Sequence, residues 1–265
     1  MSIPASLTAY VVALHVYDVS YAAGPGSHVG MPSTTLTFVL PLDEPLDVSW
    51  AGDPSSRGAS WASVSGVHAR PALIHHTGSL RGIQLALTTA GARVLFGVPA
   101  SQLAGGLLDL ADVDPAMADL PSRLADARSD DPVDVVWRTL TRALSRHDAL
   151  GPRAEVGRAL SLLTRGSTVS AVADEVGYSR RRLSTLVRDE VGVTPQELRR
   201  LGRFERSHAI LRRRAGGGRL SISEVAASCG YADHAHLTRE WGRLAGCSPT
   251  TWLATEFPNV QAIGA

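Results

Sequence analysis

Two periods of hydrophobic spacing divide the chain. From Ala9 to about Leu110, short runs rich in Val, Leu, Thr and aromatic residues alternate with Gly, Pro, Ser and Asp, the pattern of strands broken by turns. The predicted strands are 10–17, 35–40, 46–50, 61–67, 72–76 and 80–87, a spacing suited to a barrel or sandwich. Short helical turns are expected at 91–96 and 99–105. Two amphipathic helices follow at 115–128 and 132–146, with Ser129-Asp-Asp131 as the break. Beyond residue 150 the spacing is helical.

That last part contains a repeat. Val169-Ser-Ala-Val-Ala-Asp-Glu-Val-Gly-Tyr178 resembles Ile222-Ser-Glu-Val-Ala-Ala-Ser-Cys-Gly-Tyr231, 53 residues later. Each copy closes on a matching motif, Gly192-Val-Thr-Pro195 and Gly246-Cys-Ser-Pro249, with one extra residue in the second. In the first copy Val169, Val172, Ala173 and Val176 form one apolar helix face. Ala173 and Ala226 are small where a second helix crosses. Gly177 and Gly230 stand where a left-handed residue ends the first helix and redirects the chain. Ser179 can cap the second helix, which turns Leu183, Leu186 and Val187 inward; Leu237, Trp241 and Leu244 do the same in the second copy. Two short helices around a tight turn, used twice, make a double helix-turn-helix over roughly 152–257.

The outer face of each second helix carries the candidate chemistry. The first offers Arg180, Arg181, Ser184, Thr185 and Arg188; the second offers His234, Ala235, His236, Thr238 and Arg239, with Arg243 one turn on. These side chains can bond base edges or phosphates, and the Ala235 methyl can touch thymine. A solvated charged face is the bland alternative, and the duplicated Ala, Gly-Tyr, Leu, Gly and Pro pattern weighs against it.

This segment, about 105 residues, resembles the DNA-binding domain of the AraC/XylS family of transcription regulators. The resemblance extends to a long helix between the units, matched by 195–214 with Arg203-Phe-Glu-Arg206 and Ile210-Leu211. It implies that the two second helices enter successive major grooves of double-stranded DNA. Base contact then falls on Arg181, Ser184, Thr185, His234, Ala235 and Arg239, and phosphate contact on Arg180, Arg188 and Thr238. Val187 and Leu237 stand where the family often has phenylalanine. Ala235 replaces a commonly polar residue, which thins direct readout by the second unit. Gly216-Gly-Gly218 is a flexible break ahead of that unit.

The resemblance also implies a cupin-like N-terminal barrel for a small-molecule effector or a homodimer contact, and RNA polymerase as a partner if the chain is an activator. The expected fold is therefore α+β: a β-rich cupin-like barrel at 1–112, a helical linker at 113–150, an all-α domain at 151–258 with two helix-turn-helix units joined by a long helix, and a tail at 259–265. Trp50, Trp61 and His75 are the candidate effector-pocket residues.

Charge sharpens this division. Residues 1–130 carry 6 Arg against 11 acidic residues, whereas 150–265 carry 17 Arg against 11, which places the polyanion-binding end in the repeat. Every basic residue is arginine, the better fork for phosphate and guanine. No apolar run approaches the roughly 18 residues that span a bilayer, and 1–14 lacks a basic start and long apolar core. The expectation is a cytoplasmic, nucleoid-associated protein without a membrane partner. Cys229 and Cys247 are read as reduced thiols in packing positions. The rival from another class is a metal-dependent cupin-type enzyme with a DNA-targeting module. It needs His-x-His with a nearby Glu, whereas His75 and His76 are adjacent and point to opposite faces of a strand. No catalytic residue, metal ligand or cofactor is assigned.

Overall fold

The computed structural model describes residues 2–126, 131–147, 153–215, 220–256 and 262–263. Pro152, Arg128, Ser129, Asp130, Gly216-Gly-Gly218, Phe257 and most of the 259–265 tail lie outside them.

The N-terminal half holds strands β1 (Val11–Ser20), β2 (Gly26–Gly30), β3 (Leu36–Pro41), β4 (Leu46–Trp50), β5 (Asp53–Ser60), β6 (Ser63–Ser65), β7 (Ala72–His76) and β8 (Ser79–Leu87). Helices α1 (Thr89–Phe96) and α2 (Ala100–Leu103), strand β9 (Leu107–Asp109), and helices α3 (Leu110–Val113), α4 (Leu120–Asp126) and α5 (Pro132–Leu144) follow. The strands form two antiparallel sheets, ordered β1-β8-β3-β6-β9 and β2-β7-β4-β5. Both sheets are open, so the expected cupin-like β domain takes the form of two facing antiparallel layers that do not close on each other. The chain changes layers at Gly24-Pro25, a left-handed glycine (φ 77°) followed by a residue without an N–H. There β1 pairs with β8 and β2 with β7, and the two never close a hairpin.

Alternation gives the five-stranded sheet two different faces. Leu36, Phe38 and Leu40 of β3 and Ile83, Leu85 and Leu87 of β8 are fully buried in a core shared with α1 to α5. Phe38 meets Phe96 edge-on at 5.9 Å between ring centres. Thr37, Val39 and Gln84, one residue out of phase, look toward the other sheet, where Val39 packs with Leu46, Val48 and Ile74. The expected helix at 115–128 is broken into a 3-10 turn at Pro115–Met117 and α4. Pro121 cannot donate within a continuing helix but fits the first turn of a new one.

The C-terminal part contains α6 (Ala154–Thr164), α7 (Val169–Glu175), α8 (Arg180–Val191), α9 (Pro195–Arg214), α10 (Ile222–Ser228), α11 (His234–Ala245) and α12 (Pro249–Glu256). The long helix α9 runs over the expected span and starts on a capping box: Thr194 Oγ1 accepts from Glu197 N–H at 3.1 Å, and Glu197 accepts from Thr194 N–H at 2.8 Å. Leu198, Leu201, Phe204 and Leu211 on α9 form the spine of one core that takes in both helix pairs. Val67 belongs to this core and Met31 packs on it, so the N-terminal half is docked on the C-terminal part through apolar as well as polar contacts. Thr34 donates its N–H (2.9 Å) and hydroxyl (2.6 Å) to Glu205 on α9, whose carboxyl is pushed up by burial.

Candidate nucleic-acid interface and effector cavity

The two copies fold alike, down to single hydrogen bonds. Thr168 and Ser221 cap α7 and α10 through their hydroxyls. Gly177 and Gly230 hold φ of 72° and 79°, and just after them Tyr178 N–H donates to Ala173 O at 2.9 Å and Tyr231 N–H to Ala226 O at 3.0 Å. A side chain at this left-handed position would cost about 1–2 kcal/mol. The second helices then start on caps, Ser179 accepting from Arg182 N–H and Asp233 from His236 N–H. Leu183 and Val187 of α8 and Leu237, Trp241 and Leu244 of α11 face the shared core.

What remains outside is the expected set. Arg180, Arg181, Thr185 and Arg188 are exposed, Ser184 half-buried, and none of the three arginines makes an ion pair among the described residues. Ser184 Oγ donates back to Arg180 O (2.8 Å) and Thr185 Oγ1 to Arg181 O (3.2 Å). Each hydroxyl therefore presents its oxygen outward as an acceptor, suited to the amino groups of adenine or cytosine. On α11, Ala235, Arg239 and Arg243 are exposed, and His234 and Thr238 are half-buried.

His236 departs from the DNA-facing expectation. Its Nδ1 accepts from Ala232 N–H at 3.3 Å, its ring meets Tyr231 edge-on at 5.3 Å, and Nε2 lies 3.8 Å from Glu240. The reason is helical phase: His236 is four residues before Glu240, which is buried, so the ring turns inward. Glu240 in turn accepts from Arg200 and Arg203 of α9, and Arg203 lies over the Tyr231 ring at 5.0 Å.

A cavity of about 610 Å³ lies between the two sheets. Its floor is the polar phase of the five-stranded sheet: His15 and Tyr17 of β1, Thr37, Gln84, and Ser63 and Ser65 of β6. The facing wall is apolar, with Leu46, Val48, Ala72 and Ile74. At the rim Tyr21 donates to or accepts from His28 Nδ1 at 3.1 Å, and stacks on His76 with 3.8 Å between ring centres. Burial pushes His28 and His68 down and Tyr17 up to about 12. No Asp or Glu lines it among the described residues; the one arginine is Arg212, from the last turns of α9.

Sequence spacing missed this site. Trp50, Trp61 and His75, the expected pocket residues, do not line it. Trp50 is buried at the end of β4 between His68, 4.6 Å away edge-on, and Arg70, 4.3 Å above the ring. Trp61 is 45% exposed. His75 occupies the opposite phase of β7 from Ala72 and Ile74, and its Nε2 is 3.0 Å from Ser49 Oγ. Among the described residues no three of His, Cys, Asp and Glu gather as a metal site. Cys229 and Cys247 are free thiols, both pushed up by burial.

Residues 172–255 match the profile of a family described as a helix-turn-helix domain. No curated protein is significantly similar in sequence. Among solved structures, ToxT from Vibrio cholerae O395 is similar over 96% of this chain and 100% of its own, with 12% identity and a TM-score of 0.51. ToxT from V. cholerae strain SCE256, described as bound to an unsaturated fatty acid, is similar over 92% of this chain and 95% of its own, with 13% identity and a TM-score of 0.51. An AraC-type transcriptional regulator from Chromobacterium violaceum covers 40% of this chain and 95% of its own at 21% identity, with a TM-score of 0.34.

Proposed function

We propose that the chain is a regulator of the AraC/XylS type, a sequence-specific DNA-binding protein whose N-terminal half receives a small-molecule effector; its residues 172–255 match a helix-turn-helix family model. The observation that carries this reading is the repeated helix pair with an uncovered, arginine-bearing outer face. On this reading Arg181, Ser184, Thr185, His234, Ala235 and Arg239 read bases, while Arg180, Arg188 and Thr238 hold phosphates. Arg243 extends the second face. The two helices occupy successive major grooves, about one helical turn apart. The working division is a receiving domain at 1–112, a linker at 113–150 and the DNA-binding domain at 151–258.

The cavity supports an effector with an apolar body and an acidic head. Its apolar wall suits the body, and Arg212 supplies a cation where no lining carboxylate opposes it. ToxT, similar in fold, is described as holding an unsaturated fatty acid. A homodimer contact through the N-terminal half, RNA polymerase as partner of an activator, a cytoplasmic location and the absence of catalysis complete the reading. No helix of the described residues is long and apolar enough to cross a membrane.

Selection from random duplex DNA by the full chain tests the DNA half. Enrichment of two boxes about one turn apart is expected, and no enrichment ends it. Thermal shift against matched pairs of apolar acids and their amides tests the effector half, because a ligand of the folded state raises the melting temperature. The acids should stabilise and the amides should not; equal or absent shifts remove the acidic effector.

A further inference from the structure

The two recognition helices are fastened in different ways. Helix α11 is held from within its own domain: buried Glu240 accepts from Arg200 at 3.1 Å and from Arg203 at 2.9 and 3.1 Å, and Trp241 Nε1 donates to Ser207 Oγ at 2.9 Å. Helix α8 shares the apolar core, yet among the described residues it makes no ion pair with α9. Its buried acid, Glu190, turns to the N-terminal half. There Arg93 of α1 holds it with a fork, Nε at 3.0 and 3.1 Å and Nη2 at 2.9 Å. One residue earlier, the carbonyl of Asp189 accepts from Ser101 Oγ at 2.6 Å.

A two-pronged arginine–carboxylate pair fixes orientation as well as distance. This one is largely out of water, with the Glu190 side chain 8% and Arg93 29% exposed. The grip covers only the last turn of α8. Arg180, Arg181, Thr185 and Arg188 stay exposed, so the contact orients the DNA face and does not mask it. The same half also holds α9, through Thr34 and Glu205. It thus spans the joint between the first unit and the helix that carries the second.

We propose that Arg93 and Glu190 are positioning residues for DNA recognition: through this pair the N-terminal half sets the angle between the two recognition helices, and so the box spacing the chain accepts. The inference rests on the DNA-binding reading above. One base pair added between boxes rotates the second by about 35°. Helices held at a fixed angle reject that displacement, and a released α8 tolerates it.

The test uses the full chain and duplexes it selects from random DNA, remade with the spacer one base pair shorter and longer. The wild type should prefer its own spacer by about tenfold, a common size for coupling between sites. Arg93→Ala and, as the isosteric alternative, Glu190→Gln should reduce that preference to about two- to threefold. The swap Arg93→Glu with Glu190→Arg should restore it. An equal loss of affinity at all three spacers, as a merely destabilised fold would give, overturns the proposal. So does an unchanged preference in both single variants. If the wild type enriches no sequence, the DNA-binding reading fails first, at a step before any spacer is varied.

Discussion

Gly192 lies against Ala104 with no room for a side chain: a Cβ on Gly192 would collide with the Ala104 Cβ and stand 3.2 Å from Ser101 Cα. Its counterpart in the second unit, Gly246, shares the left-handed backbone, φ 73° against 82°, but meets only Pro71, at 3.8 Å. Alanine at either position costs about 1–2 kcal/mol for the backbone. At Gly192 the contact with α2 should add about 1–3 kcal/mol of overpacking. Thermal unfolding of Gly192→Ala and Gly246→Ala checks this; equal losses would show that the two halves are not pressed together at Ala104.

Arg239 is exposed on α11 with no ion-pair partner among the described residues. If it forks a guanine edge, Arg239→Ala should weaken selected sites by about 1–3 kcal/mol. Nonspecific DNA should be affected far less. An unchanged ratio of specific to nonspecific affinity would assign Arg239 to phosphate.

Arg212 joins the cavity to α9. Replacing it with Gln keeps most of the length and removes the charge. The melting-temperature rise from an apolar acid should then shrink by more than half, while the fold of the free protein changes little because Arg212 is exposed. Full retention of the rise would place the acidic head elsewhere.

His208 predicts the behaviour in acid. Burial, with Arg212 beside it, pushes its imidazole down to about 4, and its ring lies 4.7 Å from Trp252 and 6.2 Å from Phe204. The unfolded chain binds this proton near 6.5, so between 6.5 and 4 the unfolded state holds more protons than the folded one. Stability is complete above that window and falls as pH drops through it, by about 2 kcal/mol between pH 7 and 5. Urea unfolding followed by tryptophan fluorescence should show this slope, flattened in His208→Gln. A slope that survives the substitution has another source.

The repeat was legible because its determinants are local. Ala173, Gly177, Ser179 and Leu183 lie within eleven residues, and each has a physical reason to be where it is. Strands β2 and β5 were not. Gly26-Ser-His-Val-Gly30 and Asp53-Pro-Ser-Ser-Arg-Gly-Ala-Ser60 are edge strands that bury no residue fully, and an edge with both faces partly wet needs no apolar alternation. The cavity escaped for a different reason. His15, Thr37, Ser63 and Gln84 come from four strands, and each one alone reads as the solvent phase of a half-buried strand. Only the second sheet laid over them turns that phase into an interior. Arg93 and Glu190 are 97 residues apart, and nothing near either one announces the other.

The cavity floor and the helical core are alternate residues of the same strands. Thr37 and Gln84 can change without touching Leu36, Phe38, Ile83 or Leu85, which stabilise the fold from the opposite side. Chemical taste and structural integrity are thereby written on separate registers of one sheet. On the proposed effector reading, a few substitutions at odd positions of β3 and even positions of β8 change which ligand the cavity accepts, with the helices behind them undisturbed.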